Sequence, residues 1–168
     1  NAIVQNGDTA SHPMLSFDNA LAQIDKAISM SAQPLYLNYK ADMLYSMCRY
    51  DKALGCYEEL SATDMRSPEI FAKSSQCCVL LNDNDKAVAM LDSAVACFGN
   101  GDRKAAPYIL TRAIIKVSAE RYREAVLDMN SYETLVGGLQ GAEFYYMRAQ
   151  AELNSKMYQQ ALNDIETA

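Results

Sequence analysis

Apolar residues along this chain fall at spacings of three and four, and small residues recur within that pattern at a fixed offset. Ala41 and Ala53, Ser75 and Ala87, Ala113 and Ala125, and Ala149 and Ala161 each stand 12 residues apart. The second members step by 34, 38 and 36 residues. Three residues before each second member stand Tyr50, Asn84, Tyr122 and Tyr158, and four after it Tyr57, Leu91, Met129 and Ile165. Four before each first member are Leu37, Phe71, Ile109 and Tyr145, and four after it Tyr45, Val79, Val117 and Leu153. Offsets of three and four share one helical face. Each unit therefore reads as an apolar-faced helix, a tight turn and a second apolar-faced helix, and a period of this size marks an array of helical hairpins.

The small residues have a physical reason. Where two helices cross in near contact, a side chain larger than Ala or Ser forces the axes apart. The segments between the paired positions, such as Cys48-Arg49-Tyr50-Asp51 and Asn82-Asp83-Asn84-Asp85, are short and polar, as antiparallel neighbours require. Ser67-Pro68-Glu69 reads as a cap, a proline at the first helical position and an acidic first turn. The pattern predicts helices over 16–30, 34–47, 50–62, 68–81, 85–97, 104–118, 121–135, 142–154 and 158–168. Phe17, Ala20, Ile24 and Ala27 repeat the second-helix pattern alone, 33 residues ahead of Ala53, so a half-unit precedes the first full one. Residues 1–15 lack helical periodicity and carry turn residues. The expected division is an irregular segment 1–15, a half-unit 16–33, and units 34–67, 68–105, 106–141 and 142–168. The glycine-rich links at 98–103 and 136–141 take up the longer steps as loops.

Composition narrows the function. Half of the 168 residues are hydrophobic, which excludes a disordered chain, and the net charge of −6 argues against nucleic acid, whose binding needs a basic surface. No apolar run approaches the roughly 18 residues of a membrane helix. Five cysteines, Cys48, Cys56, Cys77, Cys78 and Cys97, make a poor disulfide framework and are expected to be buried, reduced thiols. With His12 the only histidine, neither a metal site nor a Ser-His-Asp or Cys-His arrangement is expected. No cofactor is implied, and an enzyme is not expected. Asn1-Ala2 matches the tail of a tag-removal remnant, so native sequence is expected to begin at Ile3 with something upstream removed, and to continue past Ala168.

The pattern resembles the tetratricopeptide repeat family. Tyr39-Lys40-Ala41 through Tyr50-Asp51-Lys52-Ala53-Leu54 and Tyr57 carries the motif, as does Tyr145 to Ala149 through Tyr158 to Leu162. Asn84 departs from the turn aromatic, and Lys116 and Glu152 replace apolar residues in two first helices. The resemblance implies a right-handed α-solenoid whose concave face, lined by first helices, binds proteins or peptides. On that face it places Leu35, Asn38, Asp42 and Tyr45; Glu69, Ala72, Gln76 and Val79; Leu110, Ile114 and Val117; and Glu143, Tyr146, Gln150 and Asn154. The candidate contact residues are Asn38, Asp42, Tyr45, Glu69, Gln76, Glu143, Tyr146 and Gln150. Some family members clamp a C-terminal carboxylate with lysines, asparagines and an arginine; only Asn38 matches, so acidic chaperone-type tails are not the expected ligand. A binding scaffold is the leading reading. The alternatives are a sensory or regulatory part of a larger enzyme or transcription regulator, and a cell-envelope structural lipoprotein. Self-association through the ends of the solenoid is a further expectation.

Overall fold

The computed structural model describes residues 13–168, with side chains from Phe17 onward. The expected tag remnant and most of the irregular segment lie outside the described residues. Among the described residues, nine α-helices succeed one another: α1 (Pro13–Met30), α2 (Pro34–Ser46), α3 (Tyr50–Ser61), α4 (Pro68–Leu80), α5 (Asn84–Val95), α6 (Ala106–Ser118), α7 (Tyr122–Val136), α8 (Ala142–Asn154) and α9 (Tyr158–Thr167). A 3-10 turn, Arg103–Ala105, leads into α6. Helix α1 begins three residues earlier than the periodicity suggests, at the first-turn proline Pro13.

Local chemistry sets the boundaries. Pro34, Pro68 and Pro107 sit in the first turns of α2, α4 and α6, where the missing N–H has no intrahelical partner to lose. Ser67 Oγ accepts from the Ile70 N–H, and Asp83 Oδ1 accepts from the Lys86 N–H. The turn inside every hairpin is built alike. Cys48, Asn82, Glu120 and Lys156 occupy the same register position, and all have left-handed φ, between 57° and 65°. The next N–H then donates back to the helix: Arg49 to Leu44, Asp83 to Cys78, Arg121 to Lys116 and Met157 to Glu152, at 2.8–2.9 Å. This is a Schellman closure made without glycine.

The paired small residues meet as their spacing requires. Ala41, Ala53, Ala87, Ala113, Ala125 and Ala161 are fully buried, and Ser75 Oγ donates to the Ala87 carbonyl at 2.9 Å, a direct measure of the close approach of α4 and α5. Each helix packs chiefly on its sequence neighbours, so the chain is an all-α solenoid of antiparallel hairpins. The core is one apolar cluster from Leu21 through Leu91 to Ile115 and a second around Ala113, Met129, Phe144 and Tyr145. All five cysteines are free thiols, but only Cys56, Cys77 and Cys78 are buried. Cys48 and Cys97 are exposed, because one occupies a hairpin turn and the other lies just past the end of α5.

Candidate functional site

Neighbouring first helices form a trough. Between α2 and α4 lies a depression of about 230 Å³ lined by Asp42, Tyr45, Ser46, Tyr57, Lys73 and Gln76. Between α4 and α6 lies another, of about 390 Å³, lined by Ala72, Lys73, Ser75, Gln76, Val79, Thr111 and Ile115. The two share Lys73 and Gln76, so they adjoin across α4. The second has an apolar lining from Ala72, Val79 and Ile115, with polar groups from Lys73, Gln76 and Thr111, the mixture expected of a binding pocket.

The first depression is fixed in place by a charged anchor. Asp42 on α2 accepts a hydrogen bond from Tyr57 Oη on α3 and pairs with Lys73 Nζ on α4 at 2.6 Å. Lys73 also lies 5.5 Å from the centre of the Tyr57 ring. Burial first, and the bond to Asp42 second, push the Tyr57 phenol well above its ordinary range, so it stays protonated and keeps donating. Three helices are thereby joined beneath the trough, with Tyr45 packed edge to face on Tyr50 at 5.4 Å.

Of the residues expected on the concave face, the structure brings Asp42, Tyr45, Ala72, Gln76 and Val79 together around these depressions. Asn38 is half-buried on α2, and its buried Oδ1 lacks a hydrogen-bond partner. Glu69 is exposed and accepts from Tyr108 Oη at 3.2 Å. Glu143, Tyr146 and Gln150 stand exposed on α8, outside both depressions, with Tyr146 67% exposed. Leu110 and Val117 are half-buried and pack toward the cluster at Met129 and Phe144. The contribution of α6 to the trough comes instead from Thr111 and Ile115, each one residue further along the helix than the expected Leu110 and Ile114. Lys73 on α4 plays the same part. These residues lie on the edge of each first helix that faces back toward the preceding one. A register that selects only the forward edge misses them.

A second feature was not foreseen from the sequence as a set. At three matching register positions, the hairpins α2–α3 and α4–α5 carry Lys40, Leu44, Cys56 and Ser74, Cys78, Met90. The hairpins α6–α7 and α8–α9 carry Arg112, Lys116, Asp128 and Arg148, Glu152, Asp164. Arg112 grips Asp128 with two hydrogen bonds of 2.7 and 2.8 Å, and Lys116 Nζ donates to the same carboxylate at 2.9 Å. Arg148 grips Asp164 at 2.6 and 2.8 Å and reaches Glu133 on α7 at 2.6 Å. Its guanidinium lies 5.2 Å from the centre of the Phe144 ring. Glu152 stands in the register position that Lys116 fills in the preceding hairpin, and its buried Oε2 is unpartnered. Burial first, and Asp164 second, push its carboxyl up to about 7 against the opposing pull of Arg148. These clusters tie each hairpin together and also join it to the preceding one, through Arg148 with Glu133 and Arg112 with Asp92, and they read as structural. Among the described residues no group of three or more His, Cys, Asp or Glu side chains could hold a metal ion, and no helix is long and apolar enough to cross a membrane.

No protein-family model and no curated protein matches the chain. Solved structures do. MamA superposes with a TM-score of 0.72 at 13% identity, over 90% of this chain and 85% of that one. YrrB, a TPR protein with an unusual peptide-binding site, superposes at 0.70 and 17% identity, over 92% of this chain and 77% of its own. A tetratricopeptide repeat protein from Parabacteroides merdae superposes at 0.61 and 19% identity, over 92% of this chain and 58% of its own. The fold is therefore that of the tetratricopeptide-repeat solenoids, as the sequence resemblance implied.

Proposed function

We propose that this chain is a non-catalytic scaffold that binds an extended peptide segment of a partner protein along the trough of α2, α4 and α6. The observation that carries the reading is the apolar depression at Ala72, Val79 and Ile115, bordered by Lys73, Gln76 and Thr111 and continuous with the anchored one at Asp42 and Tyr45. Val79 is 40% exposed although it sits in the middle of the trough. An apolar side chain of a peptide removes that surface from water, while Gln76 and Thr111 offer hydrogen bonds to its backbone. The peptide-binding site of YrrB supports the same use of this fold.

The test selects binding peptides from a random displayed library and measures them against the protein and a Val79→Asp/Gln76→Ala variant. Both side chains are exposed, so the variant keeps its helicity by circular dichroism. The reading expects affinity to fall at least tenfold, the size of two lost contacts worth about 1.4 kcal/mol together. Unchanged affinity for the selected peptides contradicts it.

A further inference from the structure

A repeated ion pair ties a hairpin turn to the second helix before it. The acid stands two residues before the small residue of one second helix, and the base four residues before the small residue of the next. Asp18 on α1 pairs with Arg49 at 3.1 Å, and Asp85 on α5 pairs with Arg121 at 3.2 Å. Between these two junctions both positions are acidic, Asp51 and Asp83, and Asp83 caps α5 instead. The junction between α7 and the turn of α8–α9 inverts this chemistry. The acid's position holds Arg123, the base's position holds Met157, and the residue before that is Lys156. Arg123 and Lys156 are both exposed, and neither makes an ion pair among the described residues.

The same junction leaves a cavity of about 390 Å³, walled by Glu120 to Glu124 on one side and Asn154 to Lys156 on the other. Both walls lie inside the chain. Arg121 is held by Glu124 in two hydrogen bonds of 2.6 and 2.9 Å. That leaves Arg123 and Lys156 as the uncommitted cations of the wall and Glu120 as its uncommitted acid. Ser155 lines the cavity too. It is 6% exposed, and its Oγ has no hydrogen-bond partner. A buried hydroxyl in that state is costly unless a ligand accepts from it. No side chain caps the start of α7, which leaves the first-turn N–H groups of that helix at the cavity wall without intrahelical partners.

We infer that this cavity binds a phosphate monoester. Arg123 and Lys156 supply the charge, and Ser155 Oγ and the first-turn N–H groups of α7 donate hydrogen bonds. A carboxylate is satisfied by one guanidinium fork. A phosphate monoester carries about two negative charges and three terminal oxygens, enough to match both cations and the neutral donors. The cavity shares no residue with the trough, so its failure leaves the peptide-binding reading standing.

The probes are inorganic phosphate and a capped Gly-Ser-Gly peptide phosphorylated on its serine. Each is titrated into the isotope-labelled protein at constant ionic strength and followed by NMR. The inference expects saturable shifts at Arg123, Ser155 and Lys156. Arg123→Gln combined with Lys156→Gln is expected to weaken binding about tenfold or more. Both side chains are exposed, so this variant keeps its helicity by circular dichroism. Glu120→Gln, which removes the uncommitted acid of the wall, is expected to strengthen binding about two- to five-fold. Tighter binding of the phosphopeptide than of inorganic phosphate assigns the site to a phosphorylated side chain, and equal binding assigns it to free phosphate. Non-saturating shifts that chloride reproduces, equal binding of acetate or of the unphosphorylated peptide, or insensitivity to the double variant overturns the inference.

Discussion

Single residues carry unequal strain in this solenoid. Glu120 holds a left-handed φ of 58° in an exposed turn, where a side chain costs about 1–2 kcal/mol that glycine does not. Part of that gain is offset by the greater freedom of glycine in the unfolded chain. Glu120→Gly is therefore expected to stabilise by about 0.5–1 kcal/mol, read as a higher midpoint in urea unfolding. Glu152 is strained differently. Its carboxyl is pushed up to about 7 from an ordinary value of 4.5, by burial and then by the charge of Asp164, with Arg148 opposing. Between these values the folded state binds a proton that the unfolded state has released, so this residue's contribution to stability falls as pH rises through about 7. Glu152→Gln is expected to raise the melting temperature at pH 8 while changing it little at pH 4. An equal shift at both pH values contradicts the assignment.

At the scale of the hairpin, one geometry is filled with two chemistries. The close crossing of paired small residues is constant, and the three positions beside it are mainly apolar in α2–α3 and α4–α5 but ionic in α6–α7 and α8–α9. Removing one partner of a buried ion pair is costly, whereas replacing the set by apolar residues is tolerated. Asp128→Ala, which strands Arg112 and Lys116, is expected to destabilise by about 3–5 kcal/mol in chemical denaturation. Transplanting the α2–α3 solution, with Arg112→Lys, Lys116→Leu and Asp128→Cys together, is expected to recover most of that loss, because the introduced lysine then meets Asp92 as Lys40 meets Asp25. The crossings were legible in the sequence because nothing but a small residue fits there, and Ala41, Ser75, Ala113 and Ala149 show it directly. The ionic sets were half legible. Lys116 and Glu152 stood out as polar residues on an apolar face, but Asp128 and Asp164, which pair with Arg112 and Lys116 and with Arg148, lie on the other helix, where an acid looks like an ordinary solvated position.

Across the whole molecule, the repeat places first helices side by side and so creates the trough. Its existence was implied by the family resemblance. Its walls were not, because Lys73, Thr111 and Ile115 face back across the space between units, and that space depends on how hairpins stack. The exposure of Tyr158 was not legible either. The aromatic is a turn-closing residue by register, yet it is 64% exposed. The central claim is that the trough of α2, α4 and α6 holds a peptide. Its most direct test is amide hydrogen exchange on the protein with and without a saturating peptide selected for binding. The account predicts slowed exchange in α2, α4 and α6 around Tyr45, Gln76 and Ile115. Slowed exchange confined to the opposite, second-helix face, around Gly55, Ala89 and Leu127, would contradict it.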